Sequence, residues 1–174
     1  TDDKLWIIDQ HAAAERINYE RILEELKQDK QQSYELLVPL KLEFSRSEAF
    51  LVEERFEQIK KLGIDIEPFG GYSFTVRQIP LWVFRGKEKE FIEEMIIQII
   101  ENKKQYKYEF LQNLAKSLAC KKSIKANEFH TSMEIEFLLE DLAKTKNPFT
   151  CPHGRPTVIK FSKKEIEKWF KRIV

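Results

Sequence analysis

The chain has 174 residues, 42% of them apolar and 34% charged, and a formal net charge of +1. That suits one sizeable domain or two small lobes of an ordinary soluble protein. It excludes a membrane-spanning chain, because no run of about 18 apolar residues occurs. It also excludes nucleic-acid binding by bulk charge, so any such contact must run through a local patch. The chain opens Thr1-Asp2-Asp3 with neither an initiator Met nor a signal peptide, which predicts an excised piece of something longer. Two cysteines 31 positions apart make no disulfide scaffold and favour a reducing cytoplasm.

Leu5-Trp6-Ile7-Ile8 reads as a short buried strand. Asp9 can then cap a helix running through Arg16, Tyr19, Ile22 and Leu26 and ending near Asp29, with Lys30–Ser33 as a polar connector. Leu36, Val38, Leu40, Leu42 and Phe44 are apolar at every second position, a half-buried strand. Leu37 falls on its other face, and Pro39 interrupts ladder bonding, which predicts an edge where a partner could dock.

Ser45 with Glu48 forms a capping box, opening a helix with Phe50, Leu51, Phe56 and Ile59 that Gly63 closes. Residues 64–67 and 72–76 alternate on either side of Gly70-Gly71, a hairpin. Phe91, Ile92, Met95, Ile96, Ile99 and Ile100 give an amphipathic helix whose apolar face is plain core packing. Lys104–Lys107 is a polar break, after which Phe110, Leu111, Leu114 and Leu118 mark a helix reaching Ala119-Cys120-Lys121-Lys122-Ser123-Ile124. Thr131 with Glu134 caps a helix carrying Ile135, Leu138, Leu139 and Leu142, which Asn147-Pro148 ends. A loop between prolines follows at 151–156, then a strand from Thr157 to Phe161 and a last helix capped by Ser162 and Glu165.

Two stretches carry candidate chemistry. His11 and Glu15 stand one turn apart on one helical face, with Asp9 just ahead. By itself an i,i+4 His/Glu pair is a surface pair worth about a few tenths of a kcal/mol. The alanines at 12–14 let something approach the helix closely. In Cys151-Pro152-His153-Gly154-Arg155-Pro156 a thiol and an imidazole two residues apart can reach one ion, and Gly154 permits a tight turn. Asp9, His11, Glu15, Cys151 and His153, with Cys120 a further candidate, form a donor set for zinc or a similar first-row ion. Calcium or magnesium alone would not suit it. Spare carboxylates leave room for a second ion, the arrangement that cleaves phosphodiesters. Lys121, Arg155 and Arg172 could offer positive charge to a DNA backbone, whereas Lys122 reads as a solvated surface residue. Glu20, about 140° round the helix from Glu15, suits a supporting bond or salt bridge.

At these residues the sequence resembles the C-terminal domain of the mismatch-repair protein family MutL, of the kind that nicks DNA. The family signature DQHA, two residues, E, four residues, E stands complete as Asp9-Gln10-His11-Ala12, Glu15 and Glu20. A cysteine-basic pair before SIKAN matches residues 119–127, with Lys121 where arginine is more usual. CPHGRP is whole at 151–156, and the closing F-x-R element is Phe170-Lys171-Arg172.

The resemblance implies a mixed α/β (α+β) fold in two lobes. Residues 1–33 and 104–174 would form the dimerisation and metal lobe, and 34–103 an inserted regulatory lobe. It implies a metal-dependent endonuclease acting as a homodimer, with Asp9, His11 and Glu15 catalytic. Zinc would be structural or regulatory and manganese would support cleavage. Glu20, Lys121, Arg155 and Arg172 would support the site. A clamp-docking motif would fall at Tyr34, Leu36, Leu37 and Pro39, with Tyr34 in place of the family's glutamine. The implied partners are duplex DNA, held weakly by this piece alone, the replication sliding clamp, and the mismatch-recognition protein in the full-length context. No membrane is implied, and the setting would be cytoplasmic and nucleoid-associated. The competing reading is a non-catalytic dimerisation and clamp-docking module with a structural zinc.

Overall fold

The computed structural model describes residues 4–28, 31–83, 85–102, 107–122 and 130–172, with only the backbone at 107, 108 and 122. The fold is mixed α/β: seven helices and two small antiparallel sheets among the described residues. The chain divides into two compact units, Thr1–Glu20 with Ser123–Val174, and Arg21–Lys122.

In the first unit, β1 (Lys4–Ile8) pairs antiparallel with β5 (Val158–Ser162), Leu5 opposite Phe161 and Ile7 opposite Ile159. Helix α1 (Gln10–Leu26) leaves β1 and belongs to this unit as far as Glu20. Helix α6 (Ser132–Lys144) starts at the Thr131 capping box, and α7 (Lys163–Trp169) at the Ser162 one. Both boxes form because hydroxyl and glutamate satisfy each other's orphan N–H groups three residues apart, a purely local arrangement.

The buried strand expected at residues 5–8 is present but not buried. Leu5, Trp6 and Ile7 are each about half exposed. A ribbon of two strands has no covering layer of its own, so apolar residues stay in view. Helix α6 forms as expected and also leaves apolar residues in view: of Ile135, Leu138, Leu139 and Leu142, only Leu142 is buried.

The second unit holds a three-stranded sheet in the order β2-β4-β3, from β2 (Ser33–Glu43), β3 (Asp65–Gly70) and β4 (Ser73–Pro80). Glycines 70 and 71 both take positive φ at the β3–β4 turn, a backbone that L side chains resist. The core collects Leu42, Ile59, Ile64, Ile66, Phe74, Val76, Met95 and Ile96, with Phe44 and Phe56 edge-on to the Phe74 ring. Helix α4 (Glu88–Glu101) packs against α2 (Arg46–Glu54), α3 (Phe56–Lys61), α5 (Lys107–Lys122) and β2.

Two expectations here need correcting. The single helix expected from Ser45 to Gly63 is two, broken at Arg55 with φ −111 and ψ 13, and Phe50 is exposed. Strict alternation in β2 also fails. Glu35 pairs with Gln78 and Leu40 with Val76, so residues 36–39 stand opposite Arg77 alone. Pro39 cannot donate to the ladder, and the surplus residues bulge outward. Val38, expected to face inward, is exposed, and Leu37 is fully so. β2 is an edge strand, as Pro39 suggested.

Helix α1 ends at Leu26, short of the expected Asp29. Residues 29 and 30, the 104–106 part of the polar break and the 123–127 SIKAN segment lie outside the described residues.

Candidate metal centre

Asp9 caps α1: its Oδ1 accepts the Ala12 N–H at 3.0 Å, and its carbonyl accepts the Ala13 N–H. This fixes the helical phase, so that His11 and Glu15 share a face one turn apart. His11 Nε2 lies 3.2 Å from Glu15 Oε1. Residues 12–14 are all buried alanines, and Glu15 is only 2% exposed. A carboxylate so far from water is costly unless donors or a cation compensate it.

The second half of the centre comes from the loop between α6 and β5. Thr150 and Pro156 form an antiparallel bridge at its neck. Within it, the Cys151 N–H donates to Arg155 O at 2.8 Å and the Gly154 N–H to Cys151 O at 3.0 Å. Gly154 takes a φ of 85, which lets the chain reverse that tightly. The Thr157 hydroxyl donates to the Pro148 carbonyl, its N–H to Phe149 O, and its carbonyl accepts the Asp9 N–H at 3.0 Å. The loop is thereby tied to the residue that starts α1.

Its tip reaches Glu15. His153 Nδ1 stands 3.2 Å from Glu15 Oε2, and the His153 N–H points at Cys151 Sγ, 3.4 Å away. One donor atom from each of Glu15, Cys151 and His153 lies within 4.8 Å of the others. Cys151 is 1% exposed and the His153 side chain 37%. A carboxylate, a thiol and an imidazole converging with one side open to solvent fit a first-row ion such as zinc, with a further position for water or substrate.

The remaining candidates fall as follows. Asp9 is exposed and spends one carboxylate oxygen on the helix cap. His11 touches the centre through Glu15. Glu20 accepts the Lys146 N–H at 2.7 Å and the Asn147 N–H at 3.3 Å, anchoring the chain that leads into the loop. Arg155 is exposed on the loop, and Arg172 is exposed beyond α7, its N–H bonded to Glu167 O. Cys120 and Lys121 lie on α5 in the other unit. There Lys121 Nζ pairs with Glu94 Oε2 at 2.8 Å. Tyr34, Leu36, Leu37 and Pro39 lie on β2.

Sequence reasoning overlooked one residue. Arg16 is buried, and its Nε donates to the Thr150 carbonyl at 2.6 Å. The only signal in the sequence is its position four residues before Glu20, a common surface pattern.

Comparison with known proteins places the chain. Residues 1–130 match the family described as the MutL C terminal dimerisation domain. A DNA mismatch repair protein MutL from Bacillus cytotoxicus is 47% identical over 173 residues, 99% of this chain and 27% of the relative. One from Anoxybacillus flavithermus is 48% identical over 173 residues, again 99% of this chain and 28% of the relative. The chain thus spans about a quarter of the length of these relatives. Taken with the motifs and the fold, the match shows that this chain belongs to the MutL C-terminal dimerisation domain family.

Proposed function

We propose that this domain is a metal-dependent endonuclease that nicks one strand of duplex DNA in mismatch repair, acting as a homodimer that docks on the replication sliding clamp. The convergence of Glu15, Cys151 and His153 carries the reading. Zinc fits the thiol and imidazole, and manganese is the ion proposed to support cleavage. A bound divalent ion supplies Lewis acidity, lowering the pKa of a water and polarising the scissile phosphate.

The residues divide the rest of the work. Glu15 and Cys151 are the buried donors that fix the ion's place, and His153 closes the set from the solvent side. His11 is proposed to hold the orientation of the Glu15 carboxylate through its other oxygen. Asp9, exposed at the head of α1, is proposed to add its second carboxylate oxygen to the site. Arg155, exposed on the same loop, is proposed to meet a phosphate as a planar, permanently charged fork. Arg172 is proposed to add positive charge for the DNA backbone.

Dimer formation is supported by the apolar residues left exposed in the first unit. Leu5, Ile7 and Ile159 share one face of the β1–β5 ribbon, with Met133 and Phe137 exposed on α6. Clamp docking is supported by the β2 bulge that turns Leu37 and Val38 outward beside Pro39.

Nicking of a supercoiled plasmid with manganese tests the enzyme reading. The wild-type chain should nick, and Glu15→Lys should not while remaining dimeric. Equal nicking by both removes the reading. The second reading, a zinc staple without catalysis, draws on the near-complete burial of Glu15 and Cys151. It predicts bound zinc but no manganese-dependent nicking.

A further inference from the structure

We infer that Arg16 is a positioning residue of the metal centre, holding the peptide group that aims Cys151 at Glu15. The inference rests on the proposed metal reading and goes beyond its ligands. The peptide between Thr150 and Cys151 is gripped at both ends. Its carbonyl accepts Arg16 Nε at 2.6 Å, and its N–H donates to Arg155 O at 2.8 Å. With both ends held, the peptide plane cannot rotate, and the direction of the Cys151 Cα–Cβ bond is set by Arg16 on one side and by the loop's own turn on the other.

The guanidinium is itself held. Its Nη1 lies 3.4 Å from Glu20 Oε1, and its side chain is 10% exposed. Glu20 in turn accepts the N–H groups of Lys146 and Asn147, so one part-buried ion pair clamps two points of the same incoming segment. Arg16 also follows Glu15 directly in α1. The carboxylate donor and the group that places the thiol donor are therefore neighbours on one rigid helix. A lysine keeps the charge but has no fork with which to donate to Thr150 O and Glu20 together.

The test compares the 174-residue chain with its Arg16→Lys variant, using Arg21→Lys as a control on an exposed position of the same helix. Each is titrated with cobalt(II), reading the thiolate-to-cobalt charge-transfer band, and then with zinc by competition against a chromogenic chelator. Arg16→Lys should bind zinc about 10–100-fold more weakly and show a reduced charge-transfer band, with its circular dichroism unchanged. Arg21→Lys should match the wild type. An Arg16→Lys chain with wild-type zinc affinity and band overturns the inference. So does one that no longer folds, since Arg16 would then be a general stability residue. A wild-type chain that binds neither ion removes the metal reading itself, and this inference falls with it.

Discussion

The Glu15 carboxylate and the His153 imidazole, 138 residues apart in the chain, meet at 3.2 Å. Neither element places them alone. The capped start of α1 supplies one, and a loop tied back to Asp9 by Thr157 supplies the other. A centre shared by two chain segments should link ion binding to folding, because the separated segments of an unfolded chain hold no preformed site.

Zinc should therefore raise the melting temperature, and a chelator should reverse the rise. At about 100 times the dissociation constant the stabilisation amounts to about 2.7 kcal/mol. Thermal melts followed by circular dichroism check this. Glu15→Gln and Cys151→Ala should each melt at a temperature indifferent to zinc. A zinc response that survives in both variants places the ion elsewhere.

Leu37 projects from a bulge in an edge strand and is fully exposed. Replacing it by Asp should change stability by less than about 0.5 kcal/mol, as surface changes do. Binding to an immobilised sliding clamp, read by surface plasmon resonance, should nevertheless be lost. Undiminished binding by Leu37→Asp ends the docking proposal.

Glu94 links α4 to α5, accepting from Ser117, Gln98 and Lys121. Burial by itself would raise its pKa, but the hydrogen bonds from Lys121, Ser117 and Gln98 outweigh burial and hold it below the ordinary 4.5. A depressed folded-state pKa contributes stability that is complete above the unfolded value. That stability is lost as the pH falls through the folded one. The wild-type chain should thus be more stable than Glu94→Gln at neutral pH, with the gap closing below about 4.5. Urea unfolding of both at several pH values measures it, and a gap that widens in acid contradicts the assignment.

Ile7 faces solvent beside Ile159 on the β1–β5 ribbon. Ile7→Asp should move the chain from dimer to monomer in light scattering while its helix content holds. Exposed apolar clusters of this kind mark association surfaces. A dimer that persists in the variant would put the interface on another face.

The capping boxes at Ser45, Thr131 and Ser162 were legible in the sequence because each is closed within four residues. The core helix α4 was legible because its six apolar positions repeat at the helical period. The break at Arg55 was not, since apolar periodicity continues through it on either side. The β2 bulge was also hidden. Alternation assumes a continuous ladder, whereas register is set by the partner strand, and Arg77 alone faces residues 36–39.

By itself the sequence determined the kinds of donor present and the local elements that carry them, because side-chain chemistry and capping are properties of short segments. It also carried the family signature at residues 9–20 and 151–156. Only the tertiary structure decided that Glu15 faces Cys151 and His153, that Arg16 grips the chain just before Cys151, and that β1 lies open rather than buried. Those outcomes depend on which distant segments pack together. An apolar run states what a strand could bury, but only a neighbour in space determines whether anything covers it.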